Sequence, residues 1–234
     1  MIINQSDNRK KYIFKGLGTL FLYFFITLFK NMPFYLIHIN VSDIPKITYN
    51  IYSLVIEITL ILLIYFIFEE EIKKAIEDIK INHYTYFTKY FKIYLIGIII
   101  MMASNMIINA LGGGISQNEE AIRGEFNSFP VYTYIASVFL APLLEELIFR
   151  LSLKALIKNK YIYIFISGFI FGSLHLIGMP INKLFPLYLI SYCSAGWAFA
   201  YIMSKTNNIL VSSGFHFMHN GIIMSIQTFL LIFT

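Results

Sequence analysis

Charge is scarce in this chain: 13% of its 234 residues are Asp, Glu, Lys or Arg, against about 25% in an ordinary water-soluble domain. With 58% hydrophobic and 18% aromatic residues, that deficit excludes a soluble globule. There is a single cysteine, Cys193, inside an apolar run, so neither an intrachain disulfide nor a Cys-rich metal site is available. It reads as a small buried apolar group. The net charge of +5 is not gathered into a Lys/Arg tract, which removes nucleic acid as an expected partner. No His-Glu-x-x-His, internal repeat or soluble second domain is present.

What is abundant is apolar sequence in stretches of about 18–25 residues, each long enough to cross a hydrocarbon core as a helix. The reading is an all-α, polytopic transmembrane helical bundle of about seven spans, with six to eight compatible with the pattern. They run over residues 12–29, 47–68, 91–111, 130–157, 161–177, 184–203 and 208–233. The basic start (Arg9, Lys10, Lys11, Lys15) before the apolar run Leu17 to Phe29 resembles a signal peptide. No small-x-small cleavage site follows, so it is read as an uncleaved first span. Residues 33–41 are expected to form a re-entrant or interfacial piece.

Basic residues in the loops give the orientation. With seven spans, thirteen of the eighteen Lys and Arg fall on one side of the membrane and four on the other, and Arg150 lies within a span. Positive charge collects on the cytoplasmic side, so the N-terminus is expected to be cytoplasmic and the C-terminus external. Between the second and third spans, Ile72, Ile76 and Ile79 recur at helical spacing among charges. This predicts an amphipathic helix within 69–92 lying on the cytoplasmic face against anionic lipid. The loop 112–129 begins with three glycines and turns acidic, and is expected to be a mobile gate.

The fourth span contains Glu145, Glu146 and Arg150. Each charge at the bilayer centre costs about 2.5–3.5 kcal/mol, so these residues need partners. Glu146 and Arg150 are four apart, acid first, and can neutralise each other on one helix face. Glu145 is rotated about 100° from Glu146 and is left facing another helix or a water-filled space. Later spans offer His175 and, one turn apart on the last span, His216 and Asn220. The favoured packing gathers Glu145, His175, His216 and Asn220 around shared water.

Such a group has the parts of a hydrolase. A carboxylate in a dry site can take a proton from water, imidazoles can position that water or relay its proton, and an amide can donate to an oxyanion. Two histidines and a glutamate could instead hold zinc, with Glu145, His175 and His216 as ligands and a water in the fourth position. A metal-free glutamate mechanism accounts for the same residues. Ser212 and Ser213 lie one turn before His216, but no acid on that span orients the imidazole, which leaves them as packing serines. Glu57, Asn105 and Asn109 are expected to be interhelical hydrogen-bond partners, His219 a packing histidine, and Gly196 with Ala195, Ala198 and Ala200 a close-packing face.

Three motifs occur in order: Glu-Glu-x-x-x-Arg at Glu145, Glu146 and Arg150; Phe-x-x-x-His at Phe171 and His175; His-x-x-x-Asn at His216 and Asn220. In this the chain resembles the CAAX proteases and bacteriocin-processing enzymes, the CPBP or Abi family, over roughly residues 130–234. The resemblance implies that Glu145 activates the hydrolytic water with help from His175. It further implies that His216 and Asn220 stabilise the oxyanion, and that Glu146 and Arg150 support the site. It divides the chain into three N-terminal spans with their cytoplasmic segment (1–129) and a catalytic helical core (130–234). The function it implies is intramembrane hydrolysis of a membrane-associated peptide or protein, as in bacteriocin or signal-peptide maturation or self-immunity, in a bacterial plasma membrane. A non-catalytic immunity or scaffold protein is the alternative.

Overall fold

The computed structural model describes residues 5–233. Among these residues the secondary structure is helical throughout, with no strand. α1 (Gln5–Phe29) leads through a short α2 (Met32–Leu36) and a 3-10 turn (Val41–Asp43) into α3 (Lys46–Ile67) and the very long α4 (Glu69–Ala110). α5 (Gln117–Ser128) follows, then an almost unbroken rod over 130–156 made of α6 (Pro130–Ile135), α7 (Ala141–Glu146) and α8 (Leu153–Leu156), with π-helical segments between them at Ala136–Leu140 and Leu147–Ser152. α9 (Lys160–Leu174), α10 (Phe185–Thr206) and α11 (Ile209–Phe233) complete the bundle.

Five of these helices are long and apolar enough to cross a membrane: α1 from Arg9 onward, α3, α4, α10 and α11. Their outward faces carry large exposed apolar side chains such as Phe14, Phe21, Phe25 and Leu28 on α1 and Phe229 and Phe233 on α11. In water these would be an aggregation surface; against acyl chains they are matched. The other two expected spans are helical but differ in kind. The fourth is the π-interrupted rod, and the fifth is α9, whose 15 residues rise only about 22 Å. Residues 33–41 form the end of α2 and the turn after it, with Tyr35, Leu36 and Ile37 exposed.

The segment 69–92 departs from expectation. It is not a separate helix on the bilayer surface but the first half of α4, continuous with the third span. Its apolar stripe is used by the protein: Ile72 and Ala75 are buried in a core with Leu60 and Ile64 of α3, Phe68 at the junction of α3 and α4, and Leu151 and Ala155 of the rod. Ion pairs tie it to α1, Lys15 to Glu71 at 2.8 Å and Lys11 to Glu70 at 3.8 Å. An amphipathic stripe states only that an apolar neighbour is needed, and here that neighbour is the bundle.

Around α10 the helices pack closely through small residues, the usual device where lipid tails are as apolar as the interface. A Cβ on Gly168 of α9 would stand 2.7 Å from the backbone nitrogen of Trp197, and one on Gly172 would stand 2.7 Å from that of Cys193. Cys193 is buried, as expected, in this contact. On the opposite side, α10 meets α4, with Ser194 and Ala198 against Gly97.

Candidate active site

The rod over 130–156 positions the acids. A π-helical segment precedes α7 and another follows Glu146; such wide turns inside α-helices recur at functional sites. They leave backbone carbonyls for side chains on other helices. Ser137 O accepts from Asn220 Nδ2 at 2.8 Å, Phe149 O accepts from Ser167 Oγ at 2.5 Å, and Arg150 O accepts from Tyr163 OH at 3.3 Å.

The two adjacent glutamates face different environments. Glu146 is fully buried and sits at the centre of a polar knot. Arg150 Nε lies 3.4 Å from its Oε2, His216 Nδ1 lies 3.1 Å from its Oε1, and Ser212 Oγ donates to Oε2. Arg150 is also fully buried; its Nη1 donates to Ser167 Oγ at 3.0 Å and its guanidinium lies 4.8 Å from the centre of the Phe171 ring. Glu145 retains 25% side-chain exposure and faces a cavity of about 830 Å³. Its Oε1 is 4.0 Å from His175 Nε2 and its Oε2 is 3.7 Å from His216 Nε2. Both gaps exceed a direct hydrogen bond and suit a bridging water.

Each imidazole is held by its other nitrogen. His175 caps the C-terminal end of α9 and its Nδ1 contacts Phe171 O at 2.7 Å, while Tyr192 stacks on its ring at 5.0 Å. With Nδ1 donating to that carbonyl, Nε2 carries its lone pair toward Glu145. His216 is anchored through Nδ1 to Glu146 and lies flat against Phe199 at 4.7 Å. The acid that sequence reasoning did not find on the last span therefore arrives from another helix, and it orients His216 rather than activating a serine. Ser212 is buried against Glu146 and Ser213 is buried too.

Glu145, His175, His216 and Asn220 thus all line one cavity, with Glu146 and Arg150 packed behind it. Asn220 is anchored to the rod and makes no hydrogen bond to the acids; the second N–H of its amide is unassigned by that bond. His219 packs between Tyr94 and Phe199, at 6.2 and 6.4 Å, and also reaches the cavity wall. Among the described residues no three His, Cys, Asp or Glu side chains are grouped so as to hold a metal ion.

The motifs did not reveal what Phe171 does, nor the contribution of the N-terminal helices. Phe171 touches Arg150, His175 and His216 with its ring and His175 with its carbonyl, so the Phe of Phe-x-x-x-His is a spacer between the buried cation and both imidazoles. α3 and α4 also supply cavity wall, through Glu57, Asn105 and Asn109. Asn105 accepts from Ser191 Oγ at 2.8 Å, as an interhelical partner should, but Glu57 makes no such bond among the described residues. The 112–129 loop is not a loose gate. It carries α5, capped by Ser116 and secured by Asn50 to Glu125 at 2.6 Å, Gln227 to Glu119 at 3.0 Å and Ser116 to Tyr192 at 2.5 Å. It roofs the cavity.

Comparison with known proteins points to the same region. Residues 127–222, which contain all three motifs, match the family model described as type II CAAX prenyl endopeptidase Rce1-like. This region is thus similar to the CAAX-protease family. Two relatives match part of the chain. A Bacillus subtilis protein named "Putative membrane peptidase YdiL" is 29% identical over 115 residues, 48% of this chain and 43% of the relative. A Mycoplasma capricolum protein named "Uncharacterized protein" is 29% identical over 110 residues, 44% of this chain and 32% of the relative. The matches thus span less than half the length of either relative. No solved structure matches. The matched region includes Glu145, Glu146, Arg150, His175, His216 and Asn220, whereas α3 and α4, with their part of the cavity wall, lie before it.

Proposed function

We propose that this chain is an intramembrane endopeptidase that hydrolyses a peptide bond in a membrane-associated peptide or protein, with Glu145 as the base. The observation that carries this is the separation of two neighbouring acids. Glu146 is neutralised and buried by Arg150, His216 and Ser212, while Glu145 stands on a cavity wall between two imidazole Nε2 atoms at water-bridging distances. A carboxylate so placed takes a proton from a water held between it and His175, and the oxygen of that water attacks the scissile carbonyl. Protonated at both nitrogens, His216 donates from Nε2 to the developing oxyanion while Glu146 carries the countercharge at Nδ1, and the free N–H of Asn220 is the second donor. The proton on Glu145 then passes to the leaving amine as the C–N bond breaks. A new carboxyl and a new amine result, with Glu145 restored.

The match of residues 127–222 to the prenyl endopeptidase family model and the printed name of the Bacillus protein support peptidase chemistry in general. Bacteriocin or signal-peptide maturation, and self-immunity, are proposed settings for it in a bacterial plasma membrane. The test compares peptide termini by mass spectrometry in membranes carrying wild type or Glu145→Gln. Fragments present with wild type and absent with the variant, at equal protein levels, are expected. Unchanged fragments with Glu145→Gln would remove Glu145 as the base, and biological protection that survives the substitution would favour the non-catalytic scaffold.

A further inference from the structure

Glu57 lies at the middle of α3, eleven residues into a helix of 22, about 16 Å from either end. A charge at the bilayer centre is costly, and acids at that depth normally face a partner or a water-filled space. Glu57 faces the space. It lines the same cavity as Glu145, on the wall contributed by the N-terminal helices, which also carries Asn105 and Asn109 of α4. It makes no hydrogen bond or ion pair among the described residues. Lys30, the basic group whose field it feels, is beyond ion-pair reach, with its ammonium over the ring of Tyr49. The single Lys or Arg side chain on the cavity wall among the described residues is Arg123, and it is committed to Glu119 at 2.8 Å. Glu145 has its imidazoles. Glu57 is thus the one cavity carboxylate with nothing set against it.

Resting on the peptidase reading, we propose that Glu57 is a specificity residue that receives a cationic group of the substrate, a Lys or Arg side chain close to the scissile bond. A cation bound there finds a carboxylate in a low-dielectric cavity, where an ion pair is far stronger than in water. An uncharged side chain at the same place leaves the half-buried Glu57 uncompensated, so discrimination works in both directions.

The test uses the full chain purified in detergent and a randomised peptide library, with the termini of the cleaved peptides read by mass spectrometry. Wild type is expected to prefer Lys or Arg over their uncharged counterparts at one fixed position from the cut by about tenfold or more, ~1.4 kcal/mol. Glu57→Gln is expected to keep cleaving but to bring that ratio near unity, through KM with kcat retained. Glu57→Lys is expected to move the preference to Asp and Glu. An unchanged Lys/Arg ratio in Glu57→Gln overturns the proposal for Glu57 and leaves the role of Glu145 intact. Continued library cleavage by Glu145→Gln overturns the assignment of the base and leaves the Glu57 ratios to be judged on their own.

Discussion

Two neighbouring carboxylates with one charge sign behave oppositely because of what surrounds each side chain. Glu146 is enclosed with Arg150, His216 and Ser212, and Arg150 has no solvent exposure to fall back on. Removing one member of a buried pair leaves an uncompensated charge, at a cost of about 3–5 kcal/mol. Glu146→Gln is therefore expected to lower the melting temperature of the detergent-solubilised protein well below wild type, while Glu145→Gln, whose side chain lies on a cavity wall without a direct hydrogen bond, melts close to wild type. Equal melting of the two variants would contradict the division of the acids into a structural and a reactive one. The ion pair was legible from four-residue spacing alone. The bond from Glu146 to His216 was not, because it joins residues 70 apart on helices whose mutual rotation no local pattern specifies.

The long α4 shows how an element's local signal can be right and its setting wrong. Residues 69–92 are amphipathic and helical as expected, yet they continue the third span and bury their stripe in protein. Their far side is fastened to the turn between α10 and α11 by Asn208, which is almost fully buried and donates from Nδ2 to Ala75 O at 2.9 Å and to Asp78 Oδ2 at 2.7 Å. That amide holds the Asp78 carboxyl below its usual range, helped by Asn82 and Tyr86. Because the folded state prefers the ionised carboxyl, its stabilisation is fully present above the ordinary aspartate value of 3.8 and is lost as pH falls through the depressed folded value. Melting followed as pH is lowered should therefore fall more steeply for wild type than for Asp78→Asn. Parallel curves would show that this fastening does not respond to protonation. The 112–129 segment illustrates the converse error. Its glycines and acids suggested mobility, but Glu119 and Glu125 have partners on α11 and α3, which composition does not reveal.

For the molecule as a whole, we read the loops' basic residues as placing the start of α1, the first half of α4 and the end of α10 on one side and the α5 roof on the other. We propose a cytoplasmic N-terminus, with the cavity opening outward beneath α5. In intact cells an impermeant thiol reagent should label a cysteine introduced at Lys183 and spare one introduced at Lys205; both positions are exposed and Cys193 is buried, and the reverse pattern would invert the topology. The sequence by itself determined that the chain is a helical membrane protein and which acid, imidazoles and amide needed company, because hydrocarbon penalises every unpaired polar group wherever it stands in the chain. Only the tertiary structure decided which carboxylate is sealed and which faces the cavity, that Phe171 separates Arg150 from both imidazoles, and that α3 brings Glu57 to the same space. Those outcomes depend on how helices rotate and approach one another, and that is set by packing across the bundle, through contacts such as Gly172 against Cys193, rather than by periodicity within any one helix.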